Sequence, residues 1–231
     1  MPSPEAVHDA SSRRKLRAAL VPRDRVAAAK LLIAAACLAP LAIVIGKIAG
    51  LGSFGPHPVQ EILHGMGKTG LNLLLITLAI TPLRKLTKQN WLIRLRRMLG
   101  LFSFFYLALH LLAYAALDLR LDFATLGTDI VERPYITVGM LALVLLIPLA
   151  VTSTRGWQRR LGRRWTRLHR LVYASAVLGV IHFWWQVKAD IREPLLYALI
   201  LGALLGYRAA DAWRRRRRRS AAVAAASSAA R

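Results

Sequence analysis

The chain has 231 residues, 56% of them hydrophobic, with a mean hydropathy of +0.41, which is too apolar for a soluble globular protein. It also carries 34 Lys and Arg against 11 Asp and Glu, a formal charge of +23, and hydrocarbon tolerates such charge only when it is segregated between membrane spans. One cysteine, Cys37, excludes an intramolecular disulfide, a CxxC redox motif, a cysteine-ligated iron–sulfur cluster and a cysteine-based zinc site.

Residues 1–28 read as a basic N-terminal segment. A helix needs about 17 to 25 apolar residues to cross a bilayer core of roughly 30 Å, and six stretches are candidates: 29–50, 69–83, 98–117, 135–152, 168–187 and 194–212. The expected fold is therefore all-α, a six-helix membrane bundle over 29–212. The second span is short between Lys68 and Arg84, whose snorkelling side chains extend its reach. The Gly/Pro-rich stretch Gly52–Gly70 before it reads as an external loop, and apolar sequence running past Cys37 to Ile45 favours a retained span over a cleaved signal peptide. Residues 213–231, basic and then rich in Ala and Ser, read as a disordered tail. The GxxxG pairs Gly46–Gly50 and Gly202–Gly206 read as sites of close helix packing.

Lys and Arg accumulate in cytoplasmic loops. The N-terminal stretch through Lys30, the 84–97 loop, the 152–170 segment and the tail from Arg208 together hold 28 of the 34 basic residues, whereas the alternate loops hold only Lys47, Lys68, Arg120, Arg133, Lys188 and Arg192. Both termini are thus expected in the cytoplasm. The Arg214–Arg219 run reads as a topological anchor that attracts anionic membrane lipid rather than as a nucleic-acid site.

Ionisable side chains inside a membrane are costly and so mark candidate sites. Of the six histidines, His8, His57 and His64 read as tail or loop residues. His110 follows Met98 at the start of the third span, and His182 follows Leu168 at the start of the fifth, by stretches of similar length. Both spans run outward, so a regular helix rise places the two histidines at matching depth near the external side. Two neutral imidazoles facing each other across a bundle suit axial ligation of haem iron, with Gly179 one turn before His182 leaving room for a flat macrocycle. The alternative is a pair of interhelical hydrogen bonds. His169 stands at the inner mouth of the fifth span, about 20 Å below His182 and roughly 140° off its face unless the helix bends near Gly179. It could serve a second, inner haem, but the third span offers only Arg96 and Arg97 at that depth, residues suited to pairing with haem propionates. Neither a dinucleotide fingerprint nor a Walker sequence is present, so the protein must borrow its electrons.

The stretches HPVQEILHGMGKTGLN, ITPLRK, LIRLRRMLGLFSFFYLALH, RPYITVG, TSTRGWQRRLGRRWTRLHRLVY and IHFWWQVK cover most of residues 57–188. On these the chain resembles the MsrQ family, haem-binding membrane subunits within the ferric-reductase-like transmembrane group. The resemblance implies a cytochrome b of the bacterial inner membrane, with one haem b or two. It would carry electrons from the quinone pool or a cytoplasmic flavin reductase to a periplasmic molybdopterin subunit that reduces methionine sulfoxide. It also implies that His110, His169 and His182 are the essential histidines, and that FMN binds, for which the sequence holds no independent motif. A haem-dependent ferric reductase and a non-catalytic membrane scaffold are the competing readings.

Overall fold

The computed structural model describes residues 23–187 and 190–229. His8, the basic residues Arg13 to Arg17, Lys188 and Arg231 lie outside them. Among the described residues all regular structure is helical: α1 Arg23–Ile48, α2 Pro58–Thr87, a 3₁₀ turn Asn90–Arg94, α3 Arg96–Ala113 extended by a π-helical turn Tyr114–Asp118, α4 Phe123–Glu132, α5 Pro134–Val151, α6 Arg155–Leu161, α7 Arg163–Leu168, α8 Leu171–Gln186 and α9 Arg192–Ala229. The chain is an all-α membrane protein. Among the described residues five helices are long and apolar enough to cross a bilayer: Val26–Ile48, Pro58–Thr87, Arg96–Asp118, Pro134–Val151 and Arg192–Arg218. The expected sixth span is α8, whose 16 residues reach only about 24 Å.

Residues 1–39 and 40–231 form separate compact units, with α1 straddling the boundary. In α1, Leu31, Leu32, Ile43 and Ile45 are exposed, as suits a helix surrounded by lipid. Within the larger unit, α2 packs along α3 and α5 along α8. Leu74 and Leu78 of α2, Leu146 of α5, Ala176 of α8 and Leu201 of α9 meet in the central core.

Three expectations change. The stretch 58–70 is not a loop: α2 begins at Pro58, where proline's fixed φ and missing donor suit a first helical position. Gly67 and Gly70 lie inside the helix because α3 comes too close there for side chains, and a Cβ on Gly70 would stand 2.6 Å from Leu107. Residues 213–229 are helical rather than disordered; alanine is the best helix former, and Asp211 pairs with Arg215 one turn on, at 3.1 Å. Finally, among the described residues the GxxxG pairs make no close contacts within the chain. Gly50 lies beyond α1 in a turn at φ +85°, and nothing lies within 4 Å of a Cβ placed on Gly202 or Gly206.

Outside the bundle core, Asp122 starts the short helix α4. Its carboxylate accepts from the Thr125 hydroxyl at 2.7 Å and from the amides of Thr125 and Ala124 at 3.1 and 3.0 Å. These bonds, that of the Thr125 hydroxyl first, hold its pKa below the usual aspartate value.

Candidate functional site

The structure brings His110 of α3 and His182 of α8 together, their ring centres 6.2 Å apart and their planes at 74°. Each ring is anchored in the same way. His110 Nδ1 lies 2.9 Å from the carbonyl oxygen of Leu63, and His182 Nδ1 lies 2.7 Å from that of Tyr135. A carbonyl only accepts, so each Nδ1 carries the proton and each Nε2 keeps its lone pair, the state in which an imidazole binds a metal. Two glycines make the anchoring possible. A Cβ on Gly67 would stand 3.1 Å from His110 Nδ1, and one on Gly139 would stand 2.7 Å from His182 Nδ1.

These pairs belong to an internal repeat. Leu63, Gly67, Gly70, Ser103 and His110 have counterparts in Tyr135, Gly139, Ala142, Ser175 and His182, every pair at the same offset along the chain. Ser103 Oγ donates to the Gly70 carbonyl and Ser175 Oγ to that of Ala142, both at 2.8 Å and both buried. The hairpin α2–α3 is thus repeated by α5–α8, and the histidine pair stands where the two copies face each other.

The rings border a cavity of 330 Å³ walled by Leu71, Leu74, Leu107, Ile136 and Leu143, within the usual size range for ligand pockets. Gly179 lines it too. Its counterpart in the first copy is Leu107, so the cavity has a smaller wall on one side. Two cations, Lys68 and Arg133, also line it. Lys68 pairs with Glu193 at 2.6 Å, and Arg133 pairs at 2.9 Å with Asp129, which also accepts from the Tyr114 hydroxyl. His64 lies on α2 rather than in a loop and lines the same cavity, accepting from Gln186 Nε2 at 2.6 Å.

The residues fit a haem. Two metal–nitrogen bonds of about 2 Å each, together with half of each ring, span about 6 Å, which matches the observed separation. Among the described residues no cluster of three or more His, Cys, Asp or Glu could hold a bare metal ion. A pair of imidazoles facing an apolar cavity suits instead a metal that brings four in-plane ligands of its own.

The other candidates lie elsewhere. His169 occupies the turn between α7 and α8, so it does not share one continuous helix with His182. Its Nε2 is 3.1 Å from Thr152 Oγ1, and its ring stacks on Trp165 at 3.9 Å, with Trp165 Nε1 donating to the Thr152 carbonyl at 2.9 Å. Arg96 and Arg97 open α3, about 20 Å along the helix from His110, and the cavity wall includes neither. By the offset of the repeat the counterpart of His169 is Arg97. Reading the sequence for histidines missed Gly67 and Gly139, for which the repeat is the only signal, and the carbonyls of Leu63 and Tyr135, which carry none.

Residues 65–180 match the family model described as ferric reductase like transmembrane component. Over 195 residues the chain is 55% identical to the protein-methionine-sulfoxide reductase heme-binding subunit MsrQ of Xanthomonas campestris pv. campestris, covering 82% of this chain and 88% of that one. It is 54% identical to the MsrQ subunit of Xanthomonas axonopodis pv. citri, with the same coverage. It is 51% identical to that of Rhodospirillum rubrum over 194 residues, covering 84% of this chain and 93% of the relative. With its histidine pair and this degree of identity over most of its length, the chain belongs to the MsrQ family, in the ferric-reductase-like transmembrane group.

Proposed function

We propose that this chain is a membrane cytochrome b that passes electrons across the bacterial inner membrane to a periplasmic, molybdopterin-containing methionine sulfoxide reductase, so supporting repair of oxidised proteins. The observation that carries the proposal is the pair of carbonyl-anchored imidazoles, 6.2 Å apart at an apolar cavity. Haem b bound between them would supply a one-electron carrier.

The chain's own residues supply the rest. The carbonyls of Leu63 and Tyr135 fix the tautomer and orientation of the two rings, and hydrogen bonding at Nδ1 raises the basicity of Nε2 toward a metal. The leucine walls exclude water and lower the local dielectric, a main determinant of redox potential. Lys68 and Arg133 offer cationic partners to the acidic groups of a macrocycle at the cavity mouth. With both termini cytoplasmic, the basic loops fall inside and this cavity opens toward the periplasm, where the partner docks. The sulfoxide chemistry takes place on that partner.

Electrons enter from the quinone pool or from a cytoplasmic flavin reductase. Because tunnelling weakens steeply with distance, the reading includes a second redox group near His169, haem or FMN, with Arg97 close to its acidic substituents. Counting redox centres in fully loaded, active protein tests this point. Two centres are expected, and one alone contradicts it.

The electron-delivery claim is tested by reducing the protein anaerobically and mixing it with the periplasmic reductase and a methionine sulfoxide peptide. Reoxidation that requires both partner and peptide is the expected result. Reoxidation by a ferric chelate at the same rate, with no partner, would make the chain a metal reductase. Absence of any bound pigment would leave the scaffold reading.

A further inference from the structure

At the end of the bundle opposite the histidine cavity, two arginines sit close together without a carboxylate. Arg208 of α9 donates from Nη1 to the Tyr173 hydroxyl at 3.0 Å and from Nη2 to the Leu78 carbonyl at 2.6 Å. Its guanidinium also lies over the Tyr173 ring, 5.2 Å from the ring centre. Arg96 is near enough to interact electrostatically with both Arg208 and Tyr173. Among the described residues neither arginine forms an ion pair. Asp211, the next carboxylate along α9, is already held by Lys85 at 2.5 Å and Arg215 at 3.1 Å.

Two polar atoms here are left over. Arg208 Nε and Thr81 Oγ1 are both buried and both lack a hydrogen-bond partner. Thr81 lies three residues after Leu78 on α2, on the face that Arg208 reaches. Burying a guanidinium against neutral oxygens and a second cation is costly, as is leaving an N–H donor and a hydroxyl unpaired. An oxyanion is the kind of partner that would satisfy an unpaired guanidinium N–H and a hydroxyl beside two uncompensated cations.

We propose that Arg96, Arg208, Tyr173 and Thr81 form a binding site for the phosphate group of an acidic membrane phospholipid. The orientation proposed above makes this the cytoplasmic end, where basic pockets between membrane helices hold anionic headgroups. Arginine is suited to the task because its planar fork matches phosphate oxygens. The lipid-exposed surface of α9 beside the site, with Leu199 and Ile200 exposed, gives the acyl chains an apolar surface to follow. The same phosphate chemistry could come from free phosphate, and the test separates the two sources.

The full chain, purified in detergent and stripped of bound lipid, is titrated with short-chain phosphatidylglycerol, with phosphatidylcholine of equal chain length, or with inorganic phosphate. Thermal unfolding is followed by tryptophan fluorescence. Phosphatidylglycerol should raise the midpoint saturably, while the other two should have little effect. Arg208→Gln should weaken the phosphatidylglycerol response about tenfold or more, as expected for losing a charge-assisted contact. Arg208→Lys should weaken it less, and Arg216→Gln, in the exposed basic run, should leave it unchanged. Thr81→Ala removes the unpaired hydroxyl without touching charge; it should weaken binding a few-fold and serves if Arg208→Gln does not fold. An equal response in wild type, Arg208→Gln and Thr81→Ala would reduce the effect to general surface charge and overturn the site. An equal response to inorganic phosphate alone would overturn the lipid as its occupant.

Discussion

At the cavity end of the bundle the two copies of the repeat agree in the histidines and in what holds them. Histidine faces histidine, each ring lies on a glycine of the neighbouring helix, and each Nδ1 meets a backbone carbonyl. At the opposite end the copies diverge. His169 in the second copy is bonded to Thr152 and stacked on Trp165, whereas the same position in the first copy is Arg97. Symmetry is kept where two equivalent ligands must face one centre. It is lost where the chain gathers cations, and Arg96 and Arg208 share that end with no acidic partner among the described residues. A duplicated helix pair thus provides one symmetric site and one that specialised.

The strongest way to break this comparison is to crowd a ligand from behind. Gly139→Ala would place a methyl 2.7 Å from His182 Nδ1, and Gly67→Ala one 3.1 Å from His110 Nδ1. Overpacking of this kind costs about 1–3 kcal/mol, and neither ring can retreat without breaking its carbonyl bond. Gly139→Ala should therefore lose more bound haem per chain than Gly67→Ala, measured as pigment absorbance against protein. Equal loss, or none, would show that the glycines do not position the rings.

A smaller effect is expected at Asp129, which is 5% exposed and carries both Tyr114 and Arg133. Asp129→Asn removes the charge that Arg133 faces at the cavity mouth. It should lower the thermal midpoint and shift the haem midpoint potential upward, because a negative charge near the iron is lost. Potentiometric titration checks the sign: no shift would place Asp129 outside the haem's electrostatic reach, and a downward shift would contradict the prediction.

Smaller still is Thr152→Val at the opposite end. It deletes the hydroxyl beside His169 Nε2 at a cost of about 1 kcal/mol and should leave the pigment of the histidine pair unchanged. A changed spectrum would mean that the two ends are coupled. The least damage is expected of Gly202→Ala, since among the described residues nothing lies within 4 Å of the added carbon and alanine's better helix propensity should stabilise α9 by up to about 1 kcal/mol. A lowered unfolding midpoint would reveal a contact with another chain on that face.

Much of this was readable from the sequence where the governing physics is periodic. A constant helix rise turns the positions of His110 and His182 along their spans into depth, and the structure places the two rings side by side. The stretch from Pro58 to Gly70 was misleading because its glycines read as loop residues in water, whereas here Gly67 and Gly70 allow close approach to α3. Arg208 enters the sequence reading only as one of the basic residues counted to the cytoplasmic side, since nothing in its neighbours tells that its side chain turns inward. The carbonyls that hold the histidines were invisible for a simpler reason: every residue has one.

The central claim is most directly tested by an oxidised-minus-reduced visible spectrum of the purified protein, with wild type beside His110→Ala, His182→Ala and Gly202→Ala. The account predicts a b-type α-band in wild type and Gly202→Ala, and loss of the bis-histidine signal in both histidine variants. An unchanged band in either histidine variant, or no band in wild type expressed with ample haem, would contradict it.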